Sequence, residues 1–286
     1  MTTEIASLIW LLKIAGVSLA GGIVGSISGL GGGIVIVPVL TVFLGIPIQD
    51  AIGASIVSVI AVSSGAGSVY VRDRITNIRI AMFLEVSTAA GALFGASFLS
   101  TLVNPRVLSI LFGLTLLISL ASIVIKMGEE LPQNVINDRL AAKLRLNGSY
   151  YDKRLRHDVA YNVTGIPAAI GLMALAGIIS GLLGIGAGVV KVLAHEIAMK
   201  VPMKVSTATS NFMIGVTAAS AAGVYLRRGL VLPFLVVLVA VAVLVGAFIG
   251  TLLMERMSNV RVRQVFAAAL AVVGLEMLLR GFGLRF

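Results

Sequence analysis

The sequence predicts an all-α integral membrane protein made of two inverted-topology repeats, each with about five hydrophobic segments. Three observations predict it. The 286-residue chain is 58% hydrophobic and only 12% charged, with a mean hydropathy of +1.08, whereas an average soluble domain carries roughly 25% charge. The apolar residues fall into ten stretches separated by short, mostly basic loops. The second half also repeats residues of the first at a fixed spacing of 155 positions, without a gap.

So little charge leaves too few polar groups to coat a soluble surface, and the expected partner is the lipid bilayer. A net charge of +10 could suggest nucleic acid. The basic residues instead sit in loops between apolar stretches, the distribution that orients membrane proteins, so no nucleic-acid partner is expected. Cysteine is absent, which excludes a disulfide framework and thiolate metal ligands. No metal or cofactor is expected.

The first stretch, 5–24, lacks the basic start of a signal peptide: Glu4 precedes it and the first basic residue is Lys13. It reads as a retained helix. Apolar stretches follow at 34–46, 51–71, 78–102 and 107–126, then a polar linker at 127–160. Five more lie at 163–183, 189–199, 205–226, 230–255 and 262–280. A spanning helix needs about 20 apolar residues. With 13 and 11 residues, stretches 34–46 and 189–199 are too short and read as half-helices or hairpin arms near the midplane. The units are therefore 1–126, a linker at 127–160, and 161–286.

At the 155-residue shift Gly29, Gly31 and Gly33 align with Gly184, Gly186 and Gly188. Pro47 meets Pro202, Ser55 meets Ser210, Tyr70 meets Tyr225, and Asn104 meets Asn259. Five crossings per unit would turn the second unit upside down relative to the first. Charge agrees. The linker carries Arg139, Lys143, Arg145, Lys153, Arg154 and Arg156, which places it in the cytoplasm. Counted from there, fourteen basic residues fall inside; Lys13, Arg106, Arg227, Arg228, Arg280 and Arg285 fall outside. Inverted repeats with short, glycine-interrupted segments in matching positions point to a secondary transporter with a midplane site.

The clusters Gly29, Gly31, Gly32, Gly33 and Gly184, Gly186, Gly188 stand just before the two short segments. Glycine admits positive φ and leaves backbone N–H groups uncovered. A helix that starts after such a break aims free N–H groups and a positive dipole end outward. Two breaks in inverted copies would aim two positive ends at one location, so an anion is the expected ligand. Close helix packing through small residues four apart is the competing reading, and it is preferred for Gly91 with Gly95 and Gly246 with Gly250.

Small polar residues follow each short segment. Ser55 and Ser58 lie on one helix face, and Thr207, Ser210 and Asn211 occupy about one turn. They could replace the hydration of an oxyanion, or hydrogen-bond between helices. Ionisable residues inside the segments are functional hypotheses by default. Lys191 could neutralise an anion or pair with a carboxylate. Glu85, His195 and Glu276 are candidates to carry a coupled proton, with interfacial positions the alternative for the two glutamates. An enzyme is not expected. "HEIAM" at 195–199 lacks the second histidine of H-E-x-x-H, and there is no nucleotide-binding P-loop motif. An anion channel and a non-transporting membrane module remain as rival readings.

"GLGGGIVIVP", "GIGAGVV", "VPMKVSTATSNFMIGVTAA" and "GVYLRRG" together resemble the sulfite exporter TauE/SafE family of sulfur-compound permeases, over about residues 14–281. The resemblance implies a multi-pass carrier of the prokaryotic plasma (inner) membrane, driven by an ion gradient. Its cargo would be sulfite, a sulfonate or another small sulfur-containing anion. The family motifs fall on Gly29, Gly31, Gly32, Gly33, Pro38 and Ser55, and on Gly184, Gly186, Gly188, Pro202, Thr209, Ser210 and Asn211. The chain departs from them at Ala187, in place of the middle glycine, and at Leu193, where the first repeat has Pro38. Whether the protein forms a homo-oligomer is left open.

Overall fold

Helix starts are written locally. Pro47 and Pro202 directly precede the two longest central helices, where a fixed φ and a missing N–H cost nothing. The Asn77 side chain accepts the Ile80 amide at 3.1 Å, and the Ser258 hydroxyl oxygen accepts the Arg261 amide at 3.2 Å; both satisfy orphan first-turn donors. The computed structural model describes residues 2–29, 31–42, 45–99, 102–125, 135 and 138–283. The start of the linker (126–134, 136–137) and Arg285 lie outside the described residues.

The first half contains α1 (Thr2–Ser28), α2 (Gly33–Val42), α3 (Ile48–Arg72), α4 (Ile78–Phe94, running into a π-helical turn, Gly95–Leu99) and α5 (Pro105–Ile125). In the linker are α6 (Arg139–Lys143) and the antiparallel strands β1 (Gly148–Asp152) and β2 (His157–Tyr161). The second half has α7 (Ile166–Leu183), α8 (Gly188–Leu193, with a π-helical turn, Ala194–Ala198), α9 (Met203–Arg227), α10 (Pro233–Arg256) and α11 (Asn259–Gly281). Among the described residues five helical stretches are long and apolar enough to cross a membrane: Trp10–Ile27, Ile48–Arg72, Ile78–Phe98, Ile166–Leu183 and Pro233–Arg256. The protein is thus a helical, multi-pass membrane protein. The polar α9 is tolerated because protein surrounds it: Ser206, Thr207, Thr209, Ser210, Asn211 and Thr217 are all buried.

The linker carries a β-hairpin, the one sheet among the described residues of an otherwise helical chain. Tyr150 pairs with Val159 in register, and both are buried on one face. The Asp152 carboxylate closes the turn by accepting the amides of Arg154 and Leu155 at 2.9 and 3.2 Å.

Helices α3 and α9 pack on each other at the centre. Around them α1 packs on α10, α4 on α7, and α5 on α11. Contacts between the halves recur at the 155-residue shift. The Ser55 hydroxyl donates to the Gly184 carbonyl at 2.9 Å, and the Ser210 hydroxyl to the Gly29 carbonyl at 2.9 Å. Tyr70 donates to the Ser26 carbonyl at 3.1 Å, and Tyr225 to the Gly181 carbonyl at 2.9 Å. Gly91 and Gly95 rest on the backbone of Ala174 and Ile178; Gly246 and Gly250 rest on that of Leu19 and Ile23. These glycines are helix-crossing contacts.

Candidate functional site

Each glycine cluster breaks a helix. After α1, Gly29, Gly31 and Gly32 take φ of +75°, +80° and +74°; α2 then starts at Gly33. After α7, Gly184 and Gly186 take +64° and +70°, and Ala187 takes +51°; α8 then starts at Gly188. Left-handed residues end one helix and redirect the chain. The new helices begin with first-turn N–H groups that have no intrahelical acceptor. In α2 the amides of Val35 and Ile36 are the ones that reach back, to the Gly32 carbonyl at 3.0 and 3.1 Å. In α8 the Lys191 amide reaches the Ala187 carbonyl at 3.0 Å, beyond Gly188, Val189 and Val190.

The two breaks meet. A methyl group at Gly33 would lie 3.2 Å from the Cα of Ile185 in the other loop. Gly31 and Gly186 both face the side chains of Val59 and Ile214, which are 155 positions apart and stand near mid-length of α3 and α9, 25 residues each. Ala187 is the one non-glycine at left-handed φ among the described residues of the two loops. An L side chain there costs roughly 1–2 kcal/mol. Ala187→Gly is therefore expected to raise stability by about 1 kcal/mol, read as a higher melting temperature in detergent; an unchanged or lower value would show that the methyl group earns its place by packing.

The serine hydroxyls each donate to a carbonyl. Ser55 and Ser210 donate to loop carbonyls, as above, and Ser58 donates to the Ala54 carbonyl of its own helix at 2.8 Å. A hydroxyl has one hydrogen, so in this state these three face carbonyls, and Ser55 and Ser210 pin the loops. Thr207 and Asn211 are different. The Thr207 hydroxyl and the Asn211 side-chain carbonyl are buried without a partner among the described residues, while the Asn211 Nδ2 donates to the Ser26 carbonyl at 2.9 Å.

Lys191 and Glu85 come together. Lys191 Nζ donates to the Thr217 hydroxyl and lies 3.4 Å from Glu85 Oε2; Thr217 in turn donates to Glu85 Oε1. Lys191 is 0% and Glu85 8% exposed. At the 155-residue shift, Lys191, Glu85 and Thr217 correspond to Ile36, Ala240 and Val62, so this polar cluster, built across the two halves, has no counterpart at the repeat-related positions. Thr217 lies in the small-polar stretch marked by the sequence, but nothing local singles it out as the bridge. His195 follows Lys191 by one turn. It is fully buried, and neither ring nitrogen has a normal hydrogen bond among the described residues. Glu276 is half-buried on α11 and does not join this cluster.

The described residues hold no group of three or more His, Cys, Asp or Glu that could bind a metal ion. Two helix breaks lie inside a helical membrane protein, at the two glycine clusters. The family model described as sulfite exporter TauE/SafE matches residues 14–277. The chain belongs to the TauE/SafE family. Relatives of this TauE/SafE protein include the probable membrane transporter protein YunE of Bacillus subtilis, 24% identical over 92% of this chain and 95% of the relative. The probable membrane transporter protein YdhB of the same organism is 27% identical over 90% and 96%. The probable membrane transporter protein MJ0441 of Methanocaldococcus jannaschii is 25% identical over 96% and 97%. No solved structure matches the chain. The protein is a member of a membrane transporter family rather than of an enzyme family.

Proposed function

We propose that this TauE/SafE protein is a secondary transporter of small sulfur-containing anions such as sulfite or a sulfonate. It works by alternating access in the prokaryotic plasma membrane, with the linker 127–160 in the cytoplasm. The observation that supports this most is the meeting of two glycine-broken helices at mid-length of α3 and α9, with reciprocal serine pins 155 positions apart. On this reading 1–126 and 161–286 are inverted repeats that rock about the loops. The N-terminal ends of α2 and α8 supply amide donors and positive dipole ends to the anion. Lys191 adds a full charge. An anion that draws Lys191 away from Glu85 leaves a buried carboxylate that must take a proton, which couples the anion to the proton gradient.

Proteoliposomes test the reading. Flux of sulfite or methanesulfonate is expected to saturate, which separates a carrier from a channel. Gly31→Leu with Asn211→Leu is expected to abolish it. Saturable flux that survives both substitutions would remove the site. Binding has an independent readout in detergent: a ligand at a hundredfold excess over its Kd stabilises by about 2.7 kcal/mol.

A further inference from the structure

A cavity of about 410 Å³ opens at one end of the molecule, lined among others by Gln49, Ile52, Leu182, Tyr225 and Arg228. At the 155-residue shift these correspond to Lys204, Thr207, Ile27, Tyr70 and Asp73. The second set is not open. Gln49 is exposed, whereas its counterpart Lys204 is 2% exposed. What covers the second set is the tip of the linker hairpin. Lys204 Nζ donates to both Asp152 oxygens at 2.9 and 3.0 Å. Lys153 Nζ donates to Asp73 Oδ2 at 3.0 Å and to Glu255 Oε2 at 2.6 Å.

We propose that the hairpin is a removable plug over a second anion station, and that the Asp152 carboxylate holds at Lys204 the place of a small oxyanion. That the guest is a transported anion rests on the function proposed above; the plug itself does not. Three observations carry the inference. First, Asp152 is itself 2% exposed, so a carboxylate borne by a surface hairpin is carried out of water to reach a buried lysine. Such a pair holds only while both partners stay. Burial pushes the Asp152 carboxyl up, but Lys204 and the turn amides hold it below the usual carboxylate range, so it stays an anion.

Second, Lys204, Thr207 and Asn211 stand at i, i+3 and i+7 on one face of α9. Beneath the ion pair they continue as the orphaned Thr207 hydroxyl and Asn211 carbonyl, and Thr207 packs against Gly29 of the first loop. Buried polar groups without partners are destabilising. The corresponding column on the open side is Gln49, Ile52 and Ile56, which carries no such cost below its mouth. The polar column leads from the plug to the loop, as a path for a hydrated anion requires. Third, the plug has a latch of its own. Lys153 bridges the Asp73 and Glu255 carboxylates, so without it two acidic groups face the tip.

The chain has no cysteine, so Thr207→Cys gives a single reporter in the column. In purified protein, a sulfonated maleimide is expected to label it slowly. In the Asp152→Asn/Lys153→Ala background it is expected to label about tenfold faster, because the opened state is more populated. Asparagine keeps the turn-closing acceptor while removing the charge. Sulfate or methanesulfonate is expected to slow that faster labelling, and chloride at equal ionic strength is not. If the double variant does not fold, Lys153→Ala alone carries the same comparison. No acceleration in a folded variant would overturn the plug. Acceleration that sulfate and methanesulfonate leave untouched would overturn the anion station. If labelling follows expectation while proteoliposomes show no saturable flux, the transport reading falls and the plug stands.

Discussion

Lys191→Met lowers the unfolding free energy by about 3–5 kcal/mol. The substitution leaves Glu85, 8% exposed, without its cation. Thr217 remains as a donor to Oε1, and one neutral hydrogen bond does not offset a buried charge. Lys191→Met combined with Glu85→Leu removes both charges, and its stability is expected to return to within about 1–2 kcal/mol of the parent. Denaturant or thermal unfolding in a mild detergent measures both. A single variant as stable as the parent would mean that the pair is not ionised when folded. The same double variant bears on coupling: it is expected to fold, to bind the anion more weakly for want of the Lys191 charge, and to lose dependence of the remaining flux on the proton gradient.

Gly177→Leu blocks assembly of the helices. A methyl group at this position would overlap the Thr88 carbonyl and lie 2.9 Å from the Ala92 nitrogen across the α4–α7 crossing. Neither is the end of a flexible side chain, so the backbones themselves must separate. A loss of about 3 kcal/mol or more is expected, at the upper end of overpacking costs. Gly22→Leu is expected to do the same at the corresponding crossing, where the Val243 carbonyl takes the place of Thr88. Gly171→Leu, on the same helix as Gly177 but with open space around it, is the control and is expected to leave folding intact. Detergent-solubilised yield and melting temperature report all three. Equal tolerance at Gly177 and Gly171 would show that α4 and α7 do not cross as closely as described.

Much of the architecture is legible in the chain because it rests on local or repeated signals. The breaks at 29–33 and 184–188 follow from glycines that accept positive φ. The short segments after them follow from length, and the helix starts at Pro47 and Pro202 from proline chemistry. The linker hairpin was not legible: two five-residue strands in a polar stretch give a weak pattern, and Asp152 becomes a turn-closing residue only when the amides of Arg154 and Leu155 fold back on it.

The candidate site divides in the same way. Lys191, Glu85, Ser55 and Ser210 are each conspicuous as polar residues in apolar segments, but their partners are not. Glu85 lies 106 positions from Lys191, and Gly184 lies 129 positions from Ser55. By itself, the sequence determined the membrane class, the ten helical segments, the glycine breaks and the 155-residue spacing, because hydropathy, backbone freedom and repetition are properties of short stretches. Only the tertiary structure decided that Ser55 and Ser210 hold loop carbonyls, that Lys191 meets Glu85 through Thr217, and that Asp152 covers Lys204. Whether a buried donor faces a carbonyl, a carboxylate or a vacant position depends on which distant backbone packing brings within about 3 Å.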